Sequence, residues 1–249
     1  KNLCIVSFPV FCIFIDMEDE MIKENDDFKL IYDVEMERFA IDLFMEINSE
    51  KKQILDFFKL ENIRKVEILL FNSKEKFIDS ISCYYSNIES IPVYCKANVC
   101  DGKIHILFDE KIESNEYRYT LKLRNVIHEY IHIIYNEYIS PNYRILWLDE
   151  GIAINVSKER SYLKNKERFT DFLMDIRPTL NKIRITEFEH GSKFVNDEYN
   201  GYDISYLLVR YLIENFSNDE INILIRDNDQ VHKLEANIMN DVISYFYGK

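Results

Sequence analysis

The chain has 249 residues, with 31 Lys or Arg against 44 Asp or Glu, and so carries a formal net charge of −13 at pH 7. That balance argues against a general nucleic-acid binder, which needs clustered cations to neutralise phosphates. An apolar share of 47% excludes a disordered chain and suffices for one sizeable core, or a core with a smaller lobe. The five glycines are too scattered to build a dinucleotide fingerprint or a phosphate-cradling loop, which excludes nucleotide folds that depend on them.

In chain order, the first feature is Leu3 to Ile15 (LCIVSFPVFCIFI), uncharged but shorter than the roughly 18 residues of a membrane-spanning helix and interrupted by Pro9. No membrane span is expected. A trimmed signal-peptide core is the competing reading of this run. The acidic MEDE that follows, where a small-residue cleavage site belongs, favours a buried strand instead. Cys4, Cys12, Cys83, Cys95 and Cys100 form no CxxC pair, and their odd number favours a reducing compartment, the cytoplasm. If residues 93 to 100 form a strand, Cys95 and Cys100 point to opposite faces and cannot bridge.

Helical periodicity covers residues 34 to 47, and Ser49 with Glu50 behind it predicts a second helix to about Leu60. Lys65 to Phe71 reads as a strand, and Ser73 caps a short helix. Pro92 to Cys100 and Lys103 to Asp109 flank Asp101-Gly102, a pair that predicts a hairpin. A long helix follows from Tyr119 to Tyr138, ended by Pro141, and a shorter one starts near Leu146. Further helices are expected over 160 to 176, 200 to 216, 218 to 226 and 233 to 246. The fold class is thus α+β. An N-terminal portion (1–117) supplies a small mixed sheet with an edge hairpin, packed on a mainly helical portion (118–249), with a soft boundary that leaves room for one domain.

Residues 128 to 132 read His-Glu-Tyr-Ile-His, an HExxH on the long predicted helix. Four residues advance a helix by about 400°, so His128 and His132 share a face and can converge on one ion. Zinc suits two imidazoles placed in this way. Glu129 lies beside that face, near enough to reach a metal-bound water as general base without being a ligand. Three fixed positions in five also arise by chance, as two polar rings on a half-buried helix. The flanking Val126, Ile127, Ile131, Ile133 and Ile134 make the face partly buried, and buried His and Glu need partners that a metal supplies.

A catalytic zinc takes a third protein ligand and keeps one position open. Glu150, in Trp147-Leu148-Asp149-Glu150-Gly151-Ile152-Ala153, is the candidate; Gly151 and Ala153 remove bulk beside it, so that the two helices can approach closely. Asp149 is the alternative ligand, and Glu150 could equally be a first-turn glutamate favoured by the helix dipole.

HExxH followed by a Glu in a WLxEGxA-like context resembles the gluzincin metallopeptidases, particularly the peptidase MA-like families, over about Tyr119 to Phe216. The resemblance implies that His128, His132 and Glu150 bind zinc and that Glu129 polarises the water. The 17 residues between His132 and Glu150 are close to the usual gluzincin separation. Tyr135 and Tyr138 stand where metzincins need Gly and His, and neither an NExxSD context nor a GxMEN-type segment is present, which sets the chain apart from thermolysin-like enzymes and conventional aminopeptidases. The stretch YDISYLLVRYL resembles a peptidase MA-like segment in which a tyrosine completes the site. Tyr202 matches it best and would be the oxyanion donor, with Tyr199 in reserve; packing alone is the other reading of Tyr202 in a chain of 17 tyrosines.

Peptide or protein substrates of such enzymes add as a strand beside the site, and the edge is placed near Lys96 to Val99. His105, His190 and His232 have no partner at ligand spacing and are left out of the metal site. GxSxG is absent, and Cys83, Cys95 and Cys100 lack a nearby oriented His. The expected function is zinc-dependent peptide hydrolysis. The rivals are a non-catalytic zincin-like interaction module with a structural metal, and an acidic interaction protein with an accidental HExxH.

Overall fold

The computed structural model describes residues 20–85, 91, 95–109, 115–140, 144–188, 194–196 and 199–248. The expected strand over Leu3 to Ile15, Cys4, Cys12, Pro92, Pro141 and His190 lie outside them.

The architecture is α+β, a five-stranded mixed sheet built from the first part of the chain and a helical remainder. Strands β1 (Glu20–Glu24) and β2 (Phe28–Asp33) form an antiparallel hairpin that the sequence reading does not assign. Asn25 makes the turn: its Oδ1 accepts from the backbone N–H groups of Asp27 and Phe28 at 2.9 and 2.8 Å. In β2 and in β3 (Val66–Phe71) alternate residues are buried, and the two strands run parallel. The predicted Asp-Gly hairpin joins β4 (Ala97–Cys100) to β5 (Lys103–Leu107). Asp101 and Gly102 have φ of 51° and 64°, the left-handed pair that a two-residue hairpin turn requires. The strand order β1-β2-β3-β5-β4 leaves β4 at an edge. Cys83, Cys95 and Cys100 are all free thiols.

One correction concerns residues 34 to 60. Instead of two helices, α1 (Glu37–Phe58) runs unbroken through Ser49, whose Oγ donates to Glu46 O at 2.8 Å rather than capping a new helix. The buried positions Phe39, Leu43, Ile47, Ile54, Leu55 and Phe58 keep one apolar face turned inward and override the polar Asn48-Ser49 pair. Ser73 caps α2 (Lys74–Ser82) as expected, its Oγ accepting from Lys76 N.

Helix α3 (Glu116–Ile134) starts earlier than predicted, because Asn115 accepts from the N–H groups of Tyr117 and Arg118, and it passes into a π-turn over Tyr135–Ile139. Helix α4 (Leu146–Val156) is buried along Trp147 to Ile154. The helix expected from 160 begins at 166: Ser161–Lys164 form a 3-10 turn, and Asn165 caps α5 (Lys166–Leu180). Helices α6 (Gly201–Asn215), α7 (Asn218–Leu224) and α8 (Asn228–Tyr247) follow, capped by Asn200, Ser217 and Asp227.

The main hydrophobic cluster of the described residues runs from Phe28 to Val242 and crosses the soft boundary near residue 117, with two smaller clusters around Phe77 and around Leu163. Within it α4 packs most heavily on α6 and next on α3. Gly151 governs the first contact and not, as expected, the approach to the HExxH helix: a Cβ there would lie 2.4 Å from Ser205 O on α6. Trp147, fully buried, donates its indole N–H to Glu235 Oε1 on α8 at 2.8 Å. Among the described residues no helix is long and apolar enough to cross a membrane.

Candidate metal centre

Helix α3 presents His128 and His132 one turn apart, with ring centroids 4.6 Å apart and planes at 84°. Helix α4 brings Glu150 against both: Glu150 Oε2 lies 3.3 Å from Nε2 of His128 and 3.3 Å from Nε2 of His132. All three residues are buried, and their donor atoms lie within 4.8 Å of one another. Donors held at about 2.0–2.1 Å around a tetrahedral zinc sit roughly 3.3–3.4 Å apart, so the two imidazole–carboxylate spacings fit such an ion.

The outer nitrogens of the imidazoles are engaged as well. His132 Nδ1 lies 2.8 Å from Asp149 Oδ1. His128 Nδ1 lies 2.9 Å from Glu159 Oε2, a close ionic approach short of a well-aligned hydrogen bond. Asp149, weighed above as a ligand, instead faces the outer nitrogen of His132, and both imidazoles turn Nε2 toward Glu150. Sequence reading missed Glu159, because its placement depends on the turn after α4: Lys158 takes a φ of 61°, and Glu159 N–H bonds back to Ile154 O at 3.3 Å. Arg144 was also missed. It donates to Glu150 Oε1 at 2.9 Å and to Asp149 Oδ2.

The electrostatics favour positive charge at this place. Burial pushes the His128 imidazolium down, but the carboxylates of Glu150 and Glu159 beside it outweigh that and lift it to about 9. His132 is likewise held well above its ordinary value, Asp149 and Glu150 overcoming the cost of burial. Burial opposes ionisation of Glu150, yet His132 and His128 keep it well below the usual carboxylate range. A pocket whose carboxylates draw protons onto imidazoles favours a dication by the same field.

Half-buried Glu129 faces a cleft of about 310 Å³, where burial raises its carboxyl. Tyr202, at the start of α6, lines that cleft with His128, Asn125, Arg160 and Asn200. Its ring packs edge-on against Phe194, with centroids 4.9 Å apart. Tyr199 lines the neighbouring cavity beside Asp175 and Phe172, away from His128 and Glu129. The histidines set aside above are placed elsewhere: His105 Nδ1 meets Ser80 Oγ at 3.0 Å, and His232 Nδ1 meets Glu235 at 2.9 Å. Comparison of the chain with protein-family models and with curated proteins finds no match in either.

Proposed function

We propose that the protein is a zinc-dependent metallopeptidase of gluzincin type, with His128, His132 and Glu150 as metal ligands, Glu129 as general base and Tyr202 as oxyanion donor. The observation that carries this reading is the convergence of two imidazole nitrogens and one carboxylate oxygen at spacings suited to a tetrahedral ion, beside a cleft lined by a carboxylate that is no ligand. Bound zinc supplies Lewis acidity, lowering the pKa of a coordinated water toward about 7 and polarising the scissile carbonyl.

The chain's own groups do the rest. Glu129, desolvated in the cleft, takes a proton from the attacking water at its carboxylate and returns it to the amine nitrogen as the C–N bond breaks; a raised carboxyl suits both directions of that transfer. Tyr202 donates its phenolic hydrogen toward the oxygen that gains charge. The peptide lies along the outer edge of β4, which packs on α3, with Lys122 Nζ on α3 donating to Lys96 O just ahead of the strand at 3.3 Å. A closed structural site needs a fourth protein donor, and among the described residues three converge.

The test is Glu129→Gln. The purified variant should keep stoichiometric zinc by elemental analysis and lose cleavage of an unbiased peptide library, whereas undiminished cleavage refutes the assignment.

A further inference from the structure

Arg144, just ahead of α4, spans the two adjacent carboxylates that line the metal centre. Its Nη2 donates to Glu150 Oε1 at 2.9 Å, and its Nε donates to Asp149 Oδ2. Each carboxylate thus gives one oxygen to the guanidinium and the other to the imidazoles: Asp149 Oδ1 lies 2.8 Å from His132 Nδ1, and Glu150 Oε2 lies 3.3 Å from both Nε2 atoms. Asp149 has no exposed surface, while the Arg144 side chain is 42% exposed, so the guanidinium closes over the carboxylates from the solvent side. Neighbouring residues on a helix point about 100° apart, and holding two such carboxylates takes a planar fork rather than a point charge.

We infer that Arg144 is a positioning residue that makes Glu150 a one-oxygen ligand. With Oε1 held in a charge-assisted bond, only Oε2 is offered to the metal, and the coordination position a catalytic site must keep free stays free. Without Arg144, Glu150 offers both oxygens and fills that position itself. The inference rests on the metal-binding part of the reading above and is independent of which bond the enzyme cuts. It also separates from a merely structural role by sign. A guanidinium beside the site repels a dication, so its loss frees a carboxylate oxygen and removes a repulsion, and metal binding holds or tightens. Loss of a simple structural support would loosen it.

The experiment compares the wild type with Arg144→Ala and Arg144→Lys, each loaded with cobalt(II) in place of zinc. Both variants should show weaker visible absorption as the cobalt gains a fifth donor, with cobalt affinity by chelator competition equal to or tighter than wild type. In the zinc forms kcat should fall about 10–100-fold with little change in KM. Should Arg144→Ala fail to fold, Arg144→Lys keeps the charge and carries the test. Wild-type spectra in the variants, weaker metal binding, or full rescue by Lys would each overturn the inference. Altered spectra in proteins that cleave no peptide would uphold it and defeat only the peptidase reading. A wild type that takes up no cobalt defeats the metal centre and this inference together.

Discussion

Asp149 Oδ1 lies 2.8 Å from His132 Nδ1 and is fully buried, so the residue next to one proposed ligand fixes the orientation of another. Asp149→Asn should therefore weaken zinc binding by about 10–100-fold, because an amide N–H facing Nδ1 selects the tautomer with its proton on Nε2. Competition with a chromophoric chelator reads this directly, and wild-type affinity in the variant would show that the carboxylate does not orient the ring.

The two tyrosines part company in the structure, since Tyr202 shares a cleft with His128 and Glu129 while Tyr199 lines the cavity next to it. Tyr202→Phe should lower kcat by roughly 10²–10³ with zinc content unchanged, the size of effect seen when one oxyanion donor is removed. Tyr199→Phe should leave kcat near wild type. Steady-state kinetics on one cleaved peptide decides, and the reverse ranking would move the role to Tyr199.

His105 predicts a pH dependence of stability that has nothing to do with the metal. Burial, with Lys103 nearby, pushes its imidazole from 6.5 down to about 4. Between those values the unfolded chain binds a proton that the folded chain refuses, so stability falls as pH drops from 6.5 toward 4 and is fully retained above 6.5. The effect is at most roughly 3–4 kcal/mol. Urea unfolding at a series of pH values should show a shallower slope in His105→Leu across this window. Identical slopes would mean the folded protein accepts that proton after all.

Gly151 is where α4 meets α6 most closely: a Cβ would stand 2.4 Å from both the carbonyl oxygen of Ser205 and Cγ2 of Val209. The carbonyl belongs to a helix and cannot swing away. Gly151→Ala should thus destabilise the fold by about 1–3 kcal/mol, read as a lower urea midpoint at unchanged m-value. A midpoint equal to wild type would show that the helices part at little cost.

What the sequence reveals of this molecule follows the range of the interactions involved. The pairing of His128 with His132 depends on one helical turn, and the β4–β5 turn depends on Asp101-Gly102, so both can be read locally. That Glu150 belongs with the pair is legible from the context of Gly151, although the glycine serves packing on α6 and not on α3. Glu159 reaches His128 only through a left-handed Lys158, and Arg144 reaches Asp149 and Glu150 from a segment with no periodic pattern; neither leaves a mark in the spacing. The β1–β2 hairpin turns on the side chain of Asn25 in place of a glycine pair. The Asn48-Ser49 pair reads as a helix break because capping propensity is a local signal, while the buried face that carries α1 past it is set by packing.

The indole of Trp147 hands its hydrogen to Glu235, a residue near the far end of the chain and three places beyond His232. The ring stands three residues ahead of Glu150, so a tail helix becomes a foundation for the carboxylate meant to grip the ion. A polypeptide clipped before residue 235 would keep His128, His132, Glu150, Glu129 and Tyr202, yet leave the buried indole N–H of Trp147 without its acceptor beneath the helix that carries Glu150.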